Sequence, residues 1–528
     1  MQALELVVIL GAAIVIGGAL GNRLRIAPPV ILLLLGALLG LVPALRFVRL
    51  PPELMLLVFL PALLYWEAIT SSLREIRRNL RAVLLTSTVL VVVTAAAVAA
   101  VAHAFGVPWG PAWVLGAALA PTDATAVGAL SRLLPRRNVA VIRAESLIND
   151  GTALVLYGVA VGVTAGEETL TAGRLTWLLV LSYVGGVLAG ALAAWLGNVV
   201  RARMVDPVLE NVVGLLAPFT AFLLAESVEA SGVLAVVVSG LMLRQFGPRT
   251  VTAATRRIAV VFWSFGAYLL NAALFVLVGL EVQSAERGLS SRDLGSALLV
   301  TVTVWAVVVV VRLAFIFAST YLIRLIDRRP SQRLRRMSDR ARVVSSVAGF
   351  RGAVSLAAAL AIPTTVESGG AFPSRDLLVF VTAGVVTLSL VVQGLLLPRV
   401  VRWAAFPPDD SPAEERTLAN RLATQEALDA LDGLASRLGT DPAIVARARA
   451  EFEERLQVID AENAPDDSPV VRADRQYAEL RLALIAHKRA TVVRLRDERT
   501  IDDGVLRAIQ AQLDVEELRL STDGPIAD

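Results

Sequence analysis

Thirteen runs of apolar residues follow one another between Leu4 and Trp403, and charge is confined almost entirely to the short segments between them. A helix of about 20 apolar residues crosses the hydrocarbon of a bilayer. Lipid offers no hydrogen-bond partners, so such runs must satisfy their backbone groups internally, as helices. The runs are Leu4–Leu20, Pro28–Val42, Glu53–Ile69, Ala82–Phe105, Pro111–Leu130, Val139–Val163, Leu175–Val200, Pro207–Ser227, Ser231–Leu243, Ile258–Val282, Leu294–Leu325, Val343–Ile362 and Leu377–Trp403. With 56% hydrophobic and only 18% charged residues in 528, the chain departs from the balance of a soluble protein of several domains. The first run has no basic leading segment and no small-residue cleavage site, so it is expected to remain as a span. These features predict an all-α polytopic membrane protein of about thirteen transmembrane helices.

The sequence pI of about 9.8 would suit a nucleic-acid binder. The arginines, however, sit in short loops between apolar runs, which is a mark of membrane topology, so no nucleic-acid partner is expected. Loops after odd-numbered spans hold most of this charge, as in Arg74-Glu75-Ile76-Arg77-Arg78 and Arg333-Leu334-Arg335-Arg336. Positive loops stay cytoplasmic. The expectation is a multi-pass protein of the cell membrane with its N-terminus outside and its C-terminus in the cytoplasm. The outer loop with Arg46 and Arg49 departs mildly from this pattern. The chain has no cysteine, which excludes disulfides, thiolate metal sites and cysteine nucleophiles. Its two histidines, His103 and His487, are too few for a histidine metal cluster. There is no Walker-type phosphate loop. Neither an enzymatic activity nor a cofactor is expected.

Spans one to six start outside and spans eight to thirteen start inside, so two six-helix halves joined by span seven would be inverted repeats. Transporters built this way place their sites at interrupted helices near the bilayer midplane. Span five carries Ala120-Pro121-Thr122-Asp123 near its centre, and span twelve carries Gly349-Phe350-Arg351-Gly352. Proline removes a backbone donor and glycine loosens the helix. An ordinary kink would use the same residues, but five and twelve are equivalent positions in the two halves and each break has a charge beside it. From about Pro407 the composition becomes polar. Residues 1–406 are expected to form the membrane domain. Residues 407–528 should form a cytosolic helical tail, with amphipathic stretches such as Glu414–Leu438, Ala473–Glu498 and Asp503–Leu520 and a linker at Pro465–Pro469.

A charge at the centre of a membrane helix costs roughly 2.5–3.5 kcal/mol, so such residues are functional or paired. Glu67, Asp123, Glu145, Asp150, Arg312 and Arg351 occupy such positions, whereas Glu210, Glu226 and Glu281 lie nearer span ends and read as interfacial. The densest group is Glu145-Ser146-Leu147-Ile148-Asn149-Asp150-Gly151. Ser146 and Asp150, four apart, share a helix face that offers a hydroxyl and a carboxylate; Glu145 and Asn149 share another. Hard monovalent cations take oxygen ligands. Glu145 needs a partner, and a membrane arginine would neutralise it.

Thr122-Asp123 in a broken helix, the Glu145–Gly151 group, Phe350-Arg351-Gly352-Ala353-Val354-Ser355, and Leu60-Pro61-Ala62-Leu63-Leu64 leading to Glu67 together resemble the sodium–proton exchangers of the NhaP/NHE type, over about Leu4 to Trp403. The resemblance implies a thirteen-helix inverted-repeat antiporter working as a homodimer, with helices five and twelve crossing at unwound centres. Asp150 matches the carboxylate that binds ion or proton. Ser146 and Glu67 match side-chain ligands of Na+, Thr122 a backbone carbonyl ligand, and Asp123 the acid at the helix break. Glu145 matches the acid paired with an arginine of helix eleven, here Arg312, and Arg351 the arginine in the break of helix twelve. Asn149 stands where two adjacent acids mark electrogenic members, which implies an electroneutral exchange.

The expected function is secondary antiport of Na+, or of Li+ or K+, against H+, with cation and proton competing for Asp150. A carboxylate withdrawn from water holds its charge only at a cost, so one of the two must accompany it. An intramembrane aspartyl protease built on Asp123 and Asp150 would leave the arginines without a role, and a channel would need a continuous pore.

Overall fold

The computed structural model describes residues 2–24, 28–42, 55–123, 134, 136–166, 172–288, 291–326, 338–406, 411–461 and 469–522. The chain divides into two compact units, Met1–Pro407 and Pro408–Asp528. Both are helical; the single bridge outside helices among the described residues pairs Thr365 with Ala371.

The first unit begins with α1 (Gln2–Leu24), α2 (Pro28–Leu39) and α3 (Leu60–Thr70), the last entered through a π-helical turn at Met55–Phe59. The short α4 (Leu73–Arg78) leads to α5 (Leu80–Leu84), which runs through a second π-helical turn, Leu85–Val89, into α6 (Leu90–Ala104). Then come α7 (Trp109–Leu119), α8 (Arg136–Ala165), α9 (Ala172–Arg201), α10 (Pro207–Glu226), α11 (Gly232–Thr250), α12 (Ala253–Gly288) and α13 (Ser291–Ile326). The twelfth apolar run is two helices, α14 (Asp339–Val347) and α15 (Ala353–Leu360). The thirteenth is α16 (Arg375–Leu388) and α17 (Gly394–Ala404) joined by a π-helical turn, Ser389–Gln393. Among the described residues eight helices are long and apolar enough to cross a membrane, and α2, α3 and α11 supply shorter apolar segments.

Polar side chains set several helix starts by taking backbone N–H groups that have no intrahelical partner. Asp206 accepts from Val208 N–H at 2.7 Å before Pro207 opens α10. Ser231 accepts from Leu234 N–H at 3.2 Å at α11, and Ser338 from Ala341 N–H at 3.2 Å at α14.

The three larger apolar clusters among the described residues organise the unit. One joins α1, α2 and α12 to α14–α17; the second joins α3, α9, α10 and α11; the third joins α6, α7, α13, α15 and α16. The crossing of α2 and α12 depends on glycine: a Cβ on Gly36 would meet the Val276 carbonyl, and one on Gly279 would meet the backbone of Leu33. Such small-residue crossings let membrane helices pack backbone to backbone. Val15, Leu188, Val261 and Phe265 are exposed on outward faces, as helices facing lipid require.

The second unit contains α18 (Ser411–Asp429), α19 (Leu431–Leu438), α20 (Pro442–Ala461), α21 (Pro469–Asp497) and α22 (Asp503–Thr522). The stretch Glu414–Leu438 is thus two helices meeting at Ala430. Residues 462–468, most of the linker read from sequence, lie outside the described residues. Arg489 bridges α21 to α22 through Asp514 and Glu517, both at 2.6 Å, over buried Ile485, Leu506 and Leu513.

Candidate ion-binding site

The end of α7 and the gap between α14 and α15 meet at the centre of this site. α7 ends at Leu119; Ala120 keeps helical backbone angles as its C-cap, and Pro121–Asp123, with Pro121 unable to donate to the helix, lie outside it. The remainder of that run, 124–130, lies outside the described residues. α14 and α15 are separated by Ala348–Gly352. The breaks are bonded to one another: Asp123 N–H donates to the Phe350 carbonyl at 2.8 Å.

Two charges serve the exposed helix ends. The Asp123 carboxylate accepts the Ala353 N–H at 3.0 Å, at the positive start of α15. Arg351 donates from Nε to the Leu119 carbonyl at 3.0 Å, at the negative end of α7, and from Nη1 to Gly349 O at 2.7 Å. Gly352 makes the approach possible, because a Cβ there would collide with the Asp123 carboxylate.

α8 carries the polar group read from sequence. Asn149 donates from Nδ2 to Thr122 Oγ1 at 2.7 Å, tying α8 to the break after α7. Glu67 on α3 shares a side-chain hydrogen bond with Ser146. Asp150 is 2% exposed, and Glu67 and Asp123 lie near enough for their charges to act on it. Asp150 Oδ1 and Glu67 Oε1 are both shielded from solvent and have no hydrogen-bond partner among the described residues. Buried polar atoms are nearly always bonded, so two such oxygens on neighbouring carboxylates call for an explanation. Among the described residues no three His, Cys, Asp or Glu side chains are grouped to hold a metal ion alone. A cation here would draw on hydroxyl and carbonyl oxygen as well as carboxylate.

Glu145, on the other face of α8, forms an ion pair with Arg312 of α13. Arg312 also donates from Nε and Nη2 to the Ser345 carbonyl at 3.3 and 3.2 Å. The residues alone left Glu145's arginine open and the resemblance implied Arg312; in the fold Arg312 meets it, and Arg351 is occupied by the Leu119 and Gly349 carbonyls.

Three side groups differ from or extend the sequence reading. Glu210, read as interfacial, is buried, with Oε2 unpartnered among the described residues. It lies a turn inside α10, on the face where Arg201 packs against Gly214. Tyr183 of α9 donates to Thr152 Oγ1 at 2.7 Å, two residues beyond Asp150. Ser389 and Gln393 of the π-helical turn are buried beside Arg351, whose N–H donates to Ser389 Oγ at 3.1 Å. Gln393, a lone amide in a long apolar run, was the available signal for this pair.

The model of a family described as sodium/hydrogen exchanger, transmembrane, matches residues 9–403. An uncharacterized Na(+)/H(+) exchanger of Mycobacterium tuberculosis is 44% identical over 520 residues, 98% of this chain and 96% of the relative. The Na(+)/H(+) antiporter ApNhaP of Aphanothece halophytica is 30% identical over 389 residues, 73% of this chain and 70% of its own. The sodium proton antiporter MjNhaP1 from Methanocaldococcus jannaschii, solved at pH 8, is similar in fold, with a TM-score of 0.59 at 18% identity, over 76% of this chain and 99% of that one. With a family match across nearly the whole membrane unit and a relative alike from end to end, this chain belongs to the transmembrane sodium/hydrogen exchanger family.

Proposed function

We propose that this chain is a secondary active antiporter that exchanges Na+ for H+ across the plasma membrane, with Li+ and K+ as the other cations an all-oxygen site admits. The observation that carries the reading is the pair of buried carboxylate oxygens, Asp150 Oδ1 and Glu67 Oε1, without partners among the described residues. The family membership and the named activities of the relatives support it.

In this reading Asp150 is the exchangeable carboxylate. Ionised and empty, it would carry an uncompensated charge through a low-dielectric interior. Cation and proton therefore compete for it, and only loaded forms change their side of access, which couples the two fluxes without ATP. Ser146, Glu67 and the Thr122 carbonyl complete the cation's oxygen shell. Asp123 and Arg351 hold the broken helix ends, Asn149 holds Thr122, and the Glu145–Arg312 pair braces α8 against α13. The wider plan comprises thirteen crossings, two inverted six-helix halves, an outer N-terminus, a cytosolic tail from residue 407 and a homodimer in the membrane. The inverted order of the arginine-rich loops and the breaks in the fifth and twelfth runs support it.

The test is a pulse of cation added to proteoliposomes holding a preset pH gradient. Na+ is expected to collapse the gradient with wild-type protein. Asp150→Asn is expected to abolish the response while the protein stays folded in the membrane. Exchange near the wild-type rate in that variant would remove Asp150 from the mechanism, and a gradient untouched by any monovalent cation would overturn antiport.

A further inference from the structure

Ser389 and Gln393 bound a π-helical turn in the middle of the last membrane run. Such turns are rare and concentrate at functional sites. Both side chains are almost fully buried, at 1% and 3% exposure. The Ser389 hydroxyl donates its proton to Gln393 Oε1. A hydroxyl has one proton, so toward its other neighbour Ser389 Oγ can only accept. That neighbour is the Arg351 N–H, at 3.1 Å.

The Arg351 N–H belongs to the same rigid trans peptide as the Phe350 carbonyl, and the two point in opposite directions. The Phe350 carbonyl accepts the Asp123 N–H at 2.8 Å. Asp123 N–H in turn shares its peptide with the Thr122 carbonyl, which must point away from the α14–α15 break. One line of hydrogen bonds and two planar peptides thus runs from Gln393 to the Thr122 carbonyl.

We propose that Ser389 and Gln393 are positioning residues for the transported cation, fixing through these two peptides the direction in which the Thr122 carbonyl is offered. The inference rests on the antiporter reading, in which that carbonyl is a cation ligand. Neither side chain touches the cation. Gln393 takes the Ser389 proton and so keeps the hydroxyl lone pairs facing the Arg351 N–H. Without the hydroxyl that N–H is buried and unpaired, and the Phe350–Arg351 peptide is held at its carbonyl end alone.

The test uses the full chain in proteoliposomes and reads the Na+ concentration dependence of proton flux, with melting in detergent measured alongside. Loss of an outer partner of a metal ligand typically costs 10–100-fold in affinity; acting here through two peptides, Ser389→Ala is expected at the low end, a KM raised roughly tenfold with Vmax changed no more than about twofold. Ser389→Thr, which keeps the hydroxyl, should restore the wild-type KM. Gln393→Leu should raise KM about threefold, because the freed hydroxyl proton can turn toward the Arg351 N–H. A lower melting temperature with KM and pH profile unchanged would reduce the pair to structure alone and overturn the proposal. If Ser389→Ala does not fold, an unchanged KM in Gln393→Leu overturns it equally. Wild-type protein without Na+-dependent flux would overturn the antiporter reading itself, whereas wild-type flux with an unchanged KM in the variants overturns only the positioning role.

Discussion

Glu145 and Arg312 are 2% and 1% exposed, and neither charge would be tolerable alone in a membrane interior. Removing one partner of a buried pair strands the other, at a cost of roughly 3–5 kcal/mol. Removing both leaves no stranded charge, so the double change should cost less than the two single losses together. Arg312 also holds the Ser345 carbonyl in the last part of α14, so Arg312→Ala should lower the melting temperature in detergent more than Glu145→Ala. Arg312→Lys should not rescue it, because a single ammonium cannot reproduce the guanidinium fork that serves both Glu145 and Ser345. Additive losses in the double-mutant cycle would argue against coupling. At this scale the sequence showed which groups carry charge where charge is costly. Charge and spacing alone did not show which arginine met which acid, which only the resemblance implied, because that depends on how α8, α13 and the breaks pack.

The broken helices decide how the site is built at the scale of elements. Pro121 announced where α7 ends and the Gly349/Gly352 pair announced the gap between α14 and α15, since one removes a donor and the others relax the backbone. That the ends would be capped across the crossing, Asp123 at α15 and Arg351 at α7, was beyond local reading. Gly352 tests this arrangement. A methyl group there would occupy the space of the Asp123 carboxylate. Gly352→Ala should displace that carboxylate from the Ala353 N–H and destabilise the protein by about 1–3 kcal/mol, the usual cost of overpacking. Cation exchange should fall with it. Thermal melts and flux measured on the same preparation decide the matter, and a variant with wild-type melting and flux would show that the crossing has slack. The π-helical turn at Ser389–Gln393 was not foreseen, because no local signal separates it from ordinary helix in an apolar run.

For the molecule as a whole, the number of titrating carboxylates sets the charge moved per cycle. Asn149, beside Asp150, neither ionises nor releases a proton, and Glu145 is held by Arg312. In the proposed antiport cycle one Na+ or one proton on Asp150 would give loaded forms of equal charge, so exchange should be electroneutral, one for one. The check is Na+ flux driven by a pH gradient in proteoliposomes whose potential is clamped with K+ and valinomycin. Rate and final Na+ distribution should not respond to that potential. A Na+ equilibrium that moves with voltage would bring a second carboxylate, Glu67 or Asp123, into the cycle.

What the sequence determined by itself follows from solvent. Uncharged apolar runs must become helices in lipid, arginine marks the loops between them, and a charge inside a run is too costly to be incidental, so Glu67, Asp123, Asp150 and their neighbours stood out before any fold was known. Only the tertiary structure decided which of these groups are satisfied and which are not. Arg312 meets Glu145, Arg351 is spent on helix ends, Ser389 pins the Phe350–Arg351 peptide, and Asp150 Oδ1 and Glu67 Oε1 remain without a partner among the described residues. Hydrogen bonds reach only about 3 Å, so their pattern depends on contacts between helices far apart in the chain, which no local spacing encodes.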